Sequence, residues 1–311
     1  MKIKFNKLMV ICLSAILFSS LFISCTSTPE TTVPAMTILT DQLGRAVKLA
    51  SNPQRIISLA PANTEILFAL GLGDRVIGVT TYCNYPPEAM EKPKIGDFSA
   101  PNLEEVVAMA PDLILASNLH KDKVIPQFEA KGLPIFALSP GTTDEILEAI
   151  SMVGKITGKD KAAADLVKNM QNRIKTVTDK TSKLPEVQKP RVFYVVWHDP
   201  LMTAGSETFI DELIYKTGGI NIANDLTDFA DISLEAVIAA NPEVMVAGVG
   251  MGEGEDLPLQ FIAKDQRLQD TEARKNNRIY SINMDIIGRP GPRIVDALEQ
   301  LARIIHPELF K

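Results

Sequence analysis

The chain has 311 residues, of which 46% are hydrophobic, and a formal net charge of −6. This length and apolar content can build two cores of ordinary domain size, and the negative charge argues against a partner such as nucleic acid. Cys12 and Cys25 lie in and just after the leading apolar run, so Cys83 is the only cysteine expected in the folded part and no disulfide can form there. We interpret Cys83 as a small buried apolar residue; a redox or metal-binding role is the alternative.

Residues 1–24 have the composition of a signal peptide, with a basic start followed by LMVICLSAILFSSLFIS. Cys25 comes directly after a small residue, Ser24, in a setting that resembles the lipid-modified cysteine of bacterial lipoproteins. Residues 25–36 are polar and contain proline, as expected of a tether. We therefore predict an extracytoplasmic protein that is anchored to the membrane by lipid on Cys25. An ordinary signal peptide followed by a chance cysteine is the alternative.

Residues 37–158 are predicted to form a first α/β lobe, called lobe one below. A short hairpin is expected at 37–49, and strand-like apolar runs follow at 56–60, 76–80, 112–116 and 133–139. Helical stretches separate these runs, and a helix at 144–155 follows the last of them. Strands that alternate with helices predict a parallel sheet.

Residues 159–181 are rich in strong helix formers and predict one long amphipathic helix that connects the lobes. Residues 190–311 repeat the alternating plan and are predicted to form lobe two. Its expected strands lie at 191–197, 220–223, 243–247 and 278–283, and its last helix runs from 292 to about 305. The predicted fold class is therefore α/β, with two similar parallel-sheet lobes joined by a single long helix.

A fifteen-residue block occurs once in each predicted lobe, as NLEEVVAMAPDLILA at 102–116 and as SLEAVIAANPEVMVA 131 positions later. The ungapped match indicates an internal duplication of one structural unit. Each copy is predicted to be a helix with an N-cap residue, Asn102 or Ser233, that stops at a proline and is followed by a buried strand.

Both copies keep a glutamate at the second helical position, Glu104 and Glu235. A carboxylate there stabilises the helix N-terminus by only about 0.3–1 kcal/mol. Capping would favour an acid at the third position, where Glu105 is predicted to complete a capping box with Asn102, yet the second copy has Ala236. Helix capping alone therefore does not account for the two retained glutamates.

In open parallel sheets, ligands bind beyond the carboxyl ends of the strands. The loops at these ends are expected at 61–63, 80–87, 117–120 and 140–142 in lobe one, and at 197–200, 248–256 and 283–292 in lobe two. Two lobes joined by one helix would place the two sets of loops on opposite sides of a cleft. The sequence therefore predicts a ligand site between the lobes.

Four segments resemble, in this order, the solute-binding proteins of ABC importers for cobalamin, haem and ferric siderophores: RIISLAPANTEILFALGLGDRVIGVT, TYCNYPP, PNLEEVVAMAPDLILA and DIIGRPGPR. The resemblance covers nearly the whole chain after Arg55 and is strongest to the cobalamin-binding members. It implies that two lobes hold a corrinoid and deliver it to an ABC permease and its ATPase, and that the protein acts as a monomer. Haem or ferric-siderophore capture by the same fold is one alternative. A corrinoid- or metal-dependent enzyme or chaperone is another, from a different class.

The resemblance also implies which residues contact the ligand. Tyr82 and Phe98 of lobe one, and Met202 and Phe229 of lobe two, match apolar walls against the corrin, while Asp285 and Arg289 match polar contacts. Ser117, Phe98 and Phe229 stand where the cobalamin-binding members have tryptophan, which reduces the aromatic platform. Trp197 and His198, at the predicted end of a strand, are two further candidates for the cleft.

Several of these residues also have a plainer structural interpretation. Asp285 and Arg289, four positions apart, could form a local surface ion pair of little energetic value. His120 and His198 could ligate a metal, but a histidine bonded to a loop carbonyl is the more common arrangement. Three histidines in all make a site for a bare metal ion unexpected.

The sequence contains no P-loop, HExxH or GxSxG motif, so no enzymatic function and no catalytic cofactor are predicted. The resemblance instead gives the repeated glutamates a role. It places Glu104 and Glu235 one on each lobe, where they would engage arginines on the two permease subunits.

Overall fold

The structure is a computed structural model that describes residues 36–250 and 256–310. The predicted signal peptide, Cys25 and nearly all of the predicted tether lie outside the described residues. The chain from Met36 onward forms one compact unit. Within the described ranges, none of the helices is long and apolar enough to cross a membrane.

The described chain alternates between strands and helices. The strands are β1 (Met36–Thr40), β2 (Ala46–Ala50), β3 (Ile56–Ser58), β4 (Val76–Val79), β5 (Leu113–Ser117), β6 (Ile135–Leu138), β7 (Arg191–Val195), β8 (Trp197–His198), β9 (Leu201–Ala204), β10 (Ile220–Asn221), β11 (Phe229–Asp231), β12 (Val244–Val249) and β13 (Ile279–Asn283). The α-helices are α1 (Pro61–Ala69), α2 (Leu103–Ala108), α3 (Val124–Glu129), α4 (Thr143–Thr157), α5 (Asp160–Thr181), α6 (Phe209–Lys216), α7 (Leu234–Ala240), α8 (Leu257–Lys264), α9 (Glu272–Lys275), α10 (Met284–Ile287) and α11 (Ile294–Ile305).

Lobe one is built on a parallel sheet with the strand order β4-β3-β5-β6. Side chains of β5 alternate between two cores, because Leu113 and Leu115 pack with α1, α4 and α5, whereas Ile114 and Ala116 pack with α2 and α3. Burial on both faces explains why the strand is apolar without alternation. The hairpin predicted before this sheet is also present, as the antiparallel pair β1 and β2.

Lobe two has a second parallel sheet, with the order β10-β7-β12-β13. Val192 and Tyr194 of β7 face the core shared with α6 and α11, and Phe193 and Val195 face the core under α7, α8 and α9. Both lobes therefore have helices on each face of a parallel sheet. The predicted α/β fold class is confirmed.

The sequence predicted one strand over 191–197, and the structure divides it. The strand β7 ends at Val195, and β8 belongs to a separate antiparallel sheet with the order β11-β9-β8. Because the chain reverses after His198, the N–H of Val196 donates to the carbonyl of Met202 at 2.9 Å. Strands as short as β8 and β11 have too few residues to show a period, so the sequence did not reveal this sheet.

The long helix α5 packs between the lobes, against α4 of lobe one and α11 of lobe two. One hydrophobic core runs from Leu113 through Met170 of α5 to Leu298 of α11. The contact of α4 with α5 is close, since a Cβ placed on Gly154 would lie 2.4 Å from the methyl group of Ala163. The helix is thus a packed part of both lobes, which makes it a stiff link.

Both copies of the repeat form a capped helix followed by a strand. The Asn102 side chain accepts from the second and third N–H groups of α2, and the Ser233 hydroxyl accepts from Ala236 at the start of α7. The predicted capping box of α2 is wrong, however. The N–H that Glu105 would have to accept, that of Asn102, instead donates to the carbonyl of Ile95 at 2.8 Å.

The two lobes also share a contact outside the fifteen-residue block. In each lobe, an arginine directly before the first strand of the parallel sheet, or at its first position, binds the repeated helix. Arg55 donates to the carbonyls of residues 109 and 110 at 2.6 and 3.2 Å, and Arg191 donates to those of residues 240 and 241 at 3.0 and 2.9 Å. These carbonyls lie at the C-terminal ends of α2 and α7, where backbone acceptors lack helical partners. Each repeated helix is therefore fixed at both ends.

Candidate functional site

A cavity of about 600 Å³ lies between loops of the two lobes. Its volume falls within the range of roughly 300–1,000 Å³ that is usual for small-molecule sites. The lining residues come almost entirely from the loops in which the strand ends predicted a site: Ala60, Pro61, Ala62, Asn63, Thr81, Tyr82, Asn84, Phe98, Ser117, Leu138, Pro140, Gly250, Met284, Asp285, Gly288, Arg289 and Pro290. The cavity is thus formed jointly by both lobes.

Five of the nine side chains predicted to contact the ligand line this cavity: Tyr82, Phe98, Ser117, Asp285 and Arg289. Tyr82 is 56% exposed, so its ring is available to a ligand. The ring of Phe98 is held edge-on against the His120 ring, with centroids 5.4 Å apart. The cavity therefore has aromatic surface on the lobe-one side and a carboxylate with a guanidinium on the lobe-two side.

The other four predicted contact residues, Trp197, His198, Met202 and Phe229, are absent from the lining of this cavity. They lie on the antiparallel sheet of β8, β9 and β11, where Trp197 is opposite Met202. Phe229 is 42% exposed and thus presents an apolar surface to the outside. The structure does not bring these four side chains together with the first five.

Asp285 and Arg289 form an ion pair, but not the isolated surface pair that was the plainer interpretation. Arg289 also donates to the Asn84 side-chain carbonyl at 2.7 Å, and the Asn84 amide donates to Asp285 at 2.7 Å. The three side chains close a ring of hydrogen bonds across the lobe boundary. Only 12% of the Arg289 side chain is exposed, so this pair is better shielded from water than a surface pair.

A second arginine and a buried glutamate extend this ring. Glu65 of α1 accepts from Arg293 at 2.6 and 2.9 Å and lies 3.4 Å from Arg289. The Arg293 guanidinium also lies over the Tyr85 ring, 4.0 Å from its centroid. Burial is the largest single influence on the pKa of Arg293 and would lower it, but the hydrogen bonds and charge of Glu65, together with the charges of Tyr85 and Asp285, outweigh burial and raise the pKa. We refer to Glu65, Asn84, Asp285, Arg289 and Arg293 as the interlobe cluster.

Glu65, Asn84 and Arg293 were not among the residues predicted from the sequence. A signal was present in the sequence, because Glu65 is the one charged residue in the segment PANTEILFA that forms α1, and acids are almost never fully buried unless paired. The partner could not be identified from one sequence, since Arg293 lies 228 positions later in the chain.

A second polar contact joins the lobes at the start of α4. Glu212 of α6 accepts from the backbone N–H of Thr143 at 2.6 Å and from its hydroxyl at 3.0 Å. Lys216 donates to the same hydroxyl at 2.8 Å. A carboxylate at a helix N-terminus is electrostatically favourable, so this contact helps to hold α6 of lobe two against lobe one.

His120 is fully buried, and both of its ring nitrogens are bonded to the backbone. Nδ1 accepts from the N–H of Ser117 at 2.9 Å, and Nε2 donates to the carbonyl of Phe98 at 2.7 Å. Burial lowers the pKa of His120 and so favours the neutral ring. His120 thus has no nitrogen left for a metal, and it positions the Phe98 loop instead.

The remaining candidates for metal binding do not converge in the described part of the chain. Cys83 is buried and lies within 3.3 Å of the hydroxyls of Thr64 and Thr80, as expected of a structural residue. His198 is outside the cavity lining, and its buried Nδ1 has no hydrogen-bond partner among the residues that the structure describes. Within residues 36–250 and 256–310, no group of three or more His, Cys, Asp or Glu residues is placed to hold a metal ion.

Glu104 and Glu235 both project from exposed helical positions. Within the described ranges, neither carboxylate has a hydrogen bond or a salt bridge to another residue, although Glu235 attracts Arg267 at longer range. One turn further along each helix is an exposed apolar side chain, Val107 at 43% in α2 and Ile238 at 40% in α7. These two residues are also 131 positions apart, so the repeat reproduces an exposed acidic and apolar pair on each lobe.

The chain is similar to known proteins both in sequence and in structure. The family model described as periplasmic binding protein matches residues 56–285. An ABC transporter substrate-binding lipoprotein of Bacillus subtilis, YvrC, is 33% identical over 276 residues, which cover 87% of this chain and 86% of the relative. A cobalamin-binding protein of Halobacterium salinarum is 29% identical over 86% of this chain and 73% of its own length. The periplasmic haem-binding protein RhuT of Roseiflexus has a similar structure, with a TM-score of 0.72 and 28% identity over 82% of this chain and 98% of that one.

Proposed function

We propose that this chain, which belongs to the periplasmic binding protein family, captures a corrinoid between its lobes and delivers it to an ABC import permease. The composition of the cavity is the observation that supports a corrinoid as the ligand. It combines the aromatic side chains Tyr82 and Phe98 with a charge-balanced, hydrogen-bonding pair, Asp285 and Arg289.

A corrinoid suits both sides of this cavity. Its macrocycle offers flat apolar surface to aromatic rings, and its peripheral amides can accept from Arg289 and donate to Asp285. The ligand would exchange with partners that the two side chains already have in the interlobe cluster. Trp197, His198, Met202 and Phe229 would contact parts of the ligand that extend beyond the cavity.

The charge of the lining favours a corrinoid over haem. Among the described lining residues, Arg289 is the only cation, and it is already paired with Asp285. The two propionates of haem would therefore find no unpaired cation there. One feature favours haem as the second candidate, because the exposed phenol of Tyr82 belongs to a class of side chain that can coordinate haem iron.

Titration of the purified protein with a panel of ligands tests this proposal. We expect saturable binding of cyanocobalamin or of cobinamide, its precursor without the lower ligand, with a Kd below 1 μM, and weaker binding of haemin and of a ferric siderophore. Visible absorption and heat of binding would be followed together. Saturable binding of haemin alone would replace the corrinoid by haem, and no binding of any corrinoid below the micromolar range would reject the proposal.

Delivery of the ligand requires that the protein dock onto the permease. The exposed glutamates Glu104 and Glu235, each with an apolar neighbour, form one docking point on each lobe. An acidic and apolar pair suits a partner surface that carries arginines, here the permease of an importer driven by its ATPase. In this role the protein is a monomer, has no catalytic function and needs no resident metal or cofactor.

For the membrane anchor, we propose that the chain is a lipoprotein modified at Cys25, as the name of its Bacillus subtilis relative states for that protein. The variant Cys25→Ala is expected to accumulate as an unlipidated precursor, because Cys25 is the cysteine that directly follows the predicted signal peptide. Metabolic labelling with a radioactive fatty acid measures this directly. If the wild-type protein takes up no label, residues 1–24 act as an ordinary signal peptide.

A further inference from the structure

We propose that Glu65 is the positioning residue of the binding cavity. Its carboxylate holds Arg289 and Arg293 of lobe two against lobe one and thereby fixes the polar side of the cavity. The inference depends on the proposed function only for the choice of ligand, because the contacts themselves are independent of what is bound.

The burial of Glu65 is the first reason. Only 2% of its side chain is exposed, and a carboxylate removed from water is costly unless charged donors surround it. Arg293 supplies two N–H groups to the two carboxylate oxygens, in the paired geometry that a planar guanidinium allows. Although Glu65 belongs to α1 of lobe one, its carboxylate is therefore bound by lobe two and is not solvated.

The route from Glu65 to the ligand is the second reason. Glu65 and Arg293 are not among the residues that line the cavity, whereas Asp285 and Arg289 are. Arg293 donates to the backbone carbonyl of Asp285 at 2.8 Å, and Glu65 lies 3.4 Å from Arg289. Glu65 therefore reaches Arg289 directly and Asp285 through Arg293, and it acts on the ligand through these two lining residues.

The charge balance is the third reason. Two carboxylates, Glu65 and Asp285, face two guanidiniums, Arg289 and Arg293, so the charged groups of the cluster are neutral together. The arginine side chains are only 12% and 16% exposed, so an unbalanced positive charge would be poorly screened by water. Loss of the Glu65 charge is expected to separate the arginines and to loosen Asp285.

Lobe one also holds the flat face of Arg293. The Tyr85 ring lies against that face, while Glu65 binds its edge. Together with the bonds of Asn84 to Asp285 and Arg289, these contacts place three lobe-one side chains against the segment 284–293, which begins with α10. The cluster is therefore one place where lobe two is fixed against lobe one, and it is the place next to the polar wall of the cavity.

The test compares Glu65→Gln with a matched control. The variant keeps the shape of the side chain but removes its charge. The control is Asp41→Asn, because Asp41 is also a buried carboxylate paired with an arginine, Arg45, but the contact lies within lobe one. A second variant, Arg293→Lys, retains the positive charge and loses the two-pronged bond, which keeps the test valid if Glu65→Gln folds poorly.

The first readout requires no ligand. Hydrogen–deuterium exchange followed by mass spectrometry should be at least about tenfold faster in Glu65→Gln and in Arg293→Lys, both at 82–86 and at 284–293. Exchange at these two segments should be unchanged in Asp41→Asn. The second readout is the Kd for cyanocobalamin, which should rise at least about tenfold in the two cluster variants and stay within twofold in the control.

Exchange that accelerates only within α1, or nowhere, would overturn the proposal, because Glu65 would then not hold lobe two. An unchanged Kd with faster exchange in both segments would overturn the positioning role. If the wild-type protein does not bind cyanocobalamin, the proposed function fails, and the exchange experiment still decides whether Glu65 holds the lobes.

Discussion

Replacing both repeated glutamates by alanine, Glu104→Ala with Glu235→Ala, is expected to weaken the association with the permease by more than a hundredfold. Losing one partner of an interfacial charge pair costs about 2–5 kcal/mol, and about 1.4 kcal/mol corresponds to a factor of ten. Each single variant should therefore weaken the association more than tenfold. The two sites lie on different lobes, so their effects should be roughly additive.

The structure makes the two glutamates suitable for this experiment. Both are exposed, and neither has a hydrogen bond or salt bridge to another described residue that its removal would break. Stability should change by no more than the helix-terminus effect of about 0.3–1 kcal/mol per site. Affinity for the ligand in the cavity should remain within twofold, since neither residue lines it.

Glu105→Ala is the matched control for docking. Glu105 is exposed and adjacent to Glu104, and the Asn102 N–H that would complete a capping box donates to Ile95 instead. Binding to the permease in lipid nanodiscs would be measured for all variants with saturating ligand. A double variant that binds and supports transport like the wild type would leave Glu104 and Glu235 with a helix-capping role only.

The variant Arg289→Ala is expected to raise the Kd for cyanocobalamin by at least about tenfold. It removes the only cation in the described lining and takes a donor from Asp285, Asn84 and Glu65 at once. The ligand would also lose its hydrogen bond to this charged donor, and a bond of that kind is worth about 1.5–3 kcal/mol, which corresponds to at least about tenfold in Kd. Isothermal titration gives the change directly.

Arg173→Ala controls for the general loss of a paired arginine. Arg173 of α5 binds Asp296 at 2.5 Å and Glu299 at 2.8 Å. The hydrogen bond to Glu299 is the main reason why the pKa of Arg173 is raised above that of an ordinary arginine. It is absent from the lining of the proposed ligand cavity. We expect both variants to lose stability and only Arg289→Ala to lose affinity. Equal affinity of Arg289→Ala and wild type would contradict the polar contact assigned to Arg289.

The repeat and the apolar runs made the architecture predictable. Runs such as DLILA and EVMVA can be buried only if both faces of a sheet are covered, and they became the central strands β5 and β12. The rule that sites lie beyond strand carboxyl ends located the cavity without reference to any ligand. Local rules of this kind need only neighbouring residues, which is why one sequence was sufficient.

The contacts that join distant parts of the chain could not be predicted in the same way. Arg55 and Arg191 bind helix ends about 50 positions away, and Glu65 binds an arginine 228 positions away. No periodicity encodes such pairs. The division of the predicted strand at Val195 also depended on a tertiary feature, the pairing of β8 with β9.

The most direct test of the central claim is a crystal structure of the protein with cyanocobalamin bound. We expect the corrin ring in the cavity between the lobes, with a ring face against Tyr82 or Phe98 and a peripheral amide within hydrogen-bonding distance of Arg289. Electron density for the ligand outside this cavity, with the interlobe cluster and the lining side chains unaltered, would contradict it.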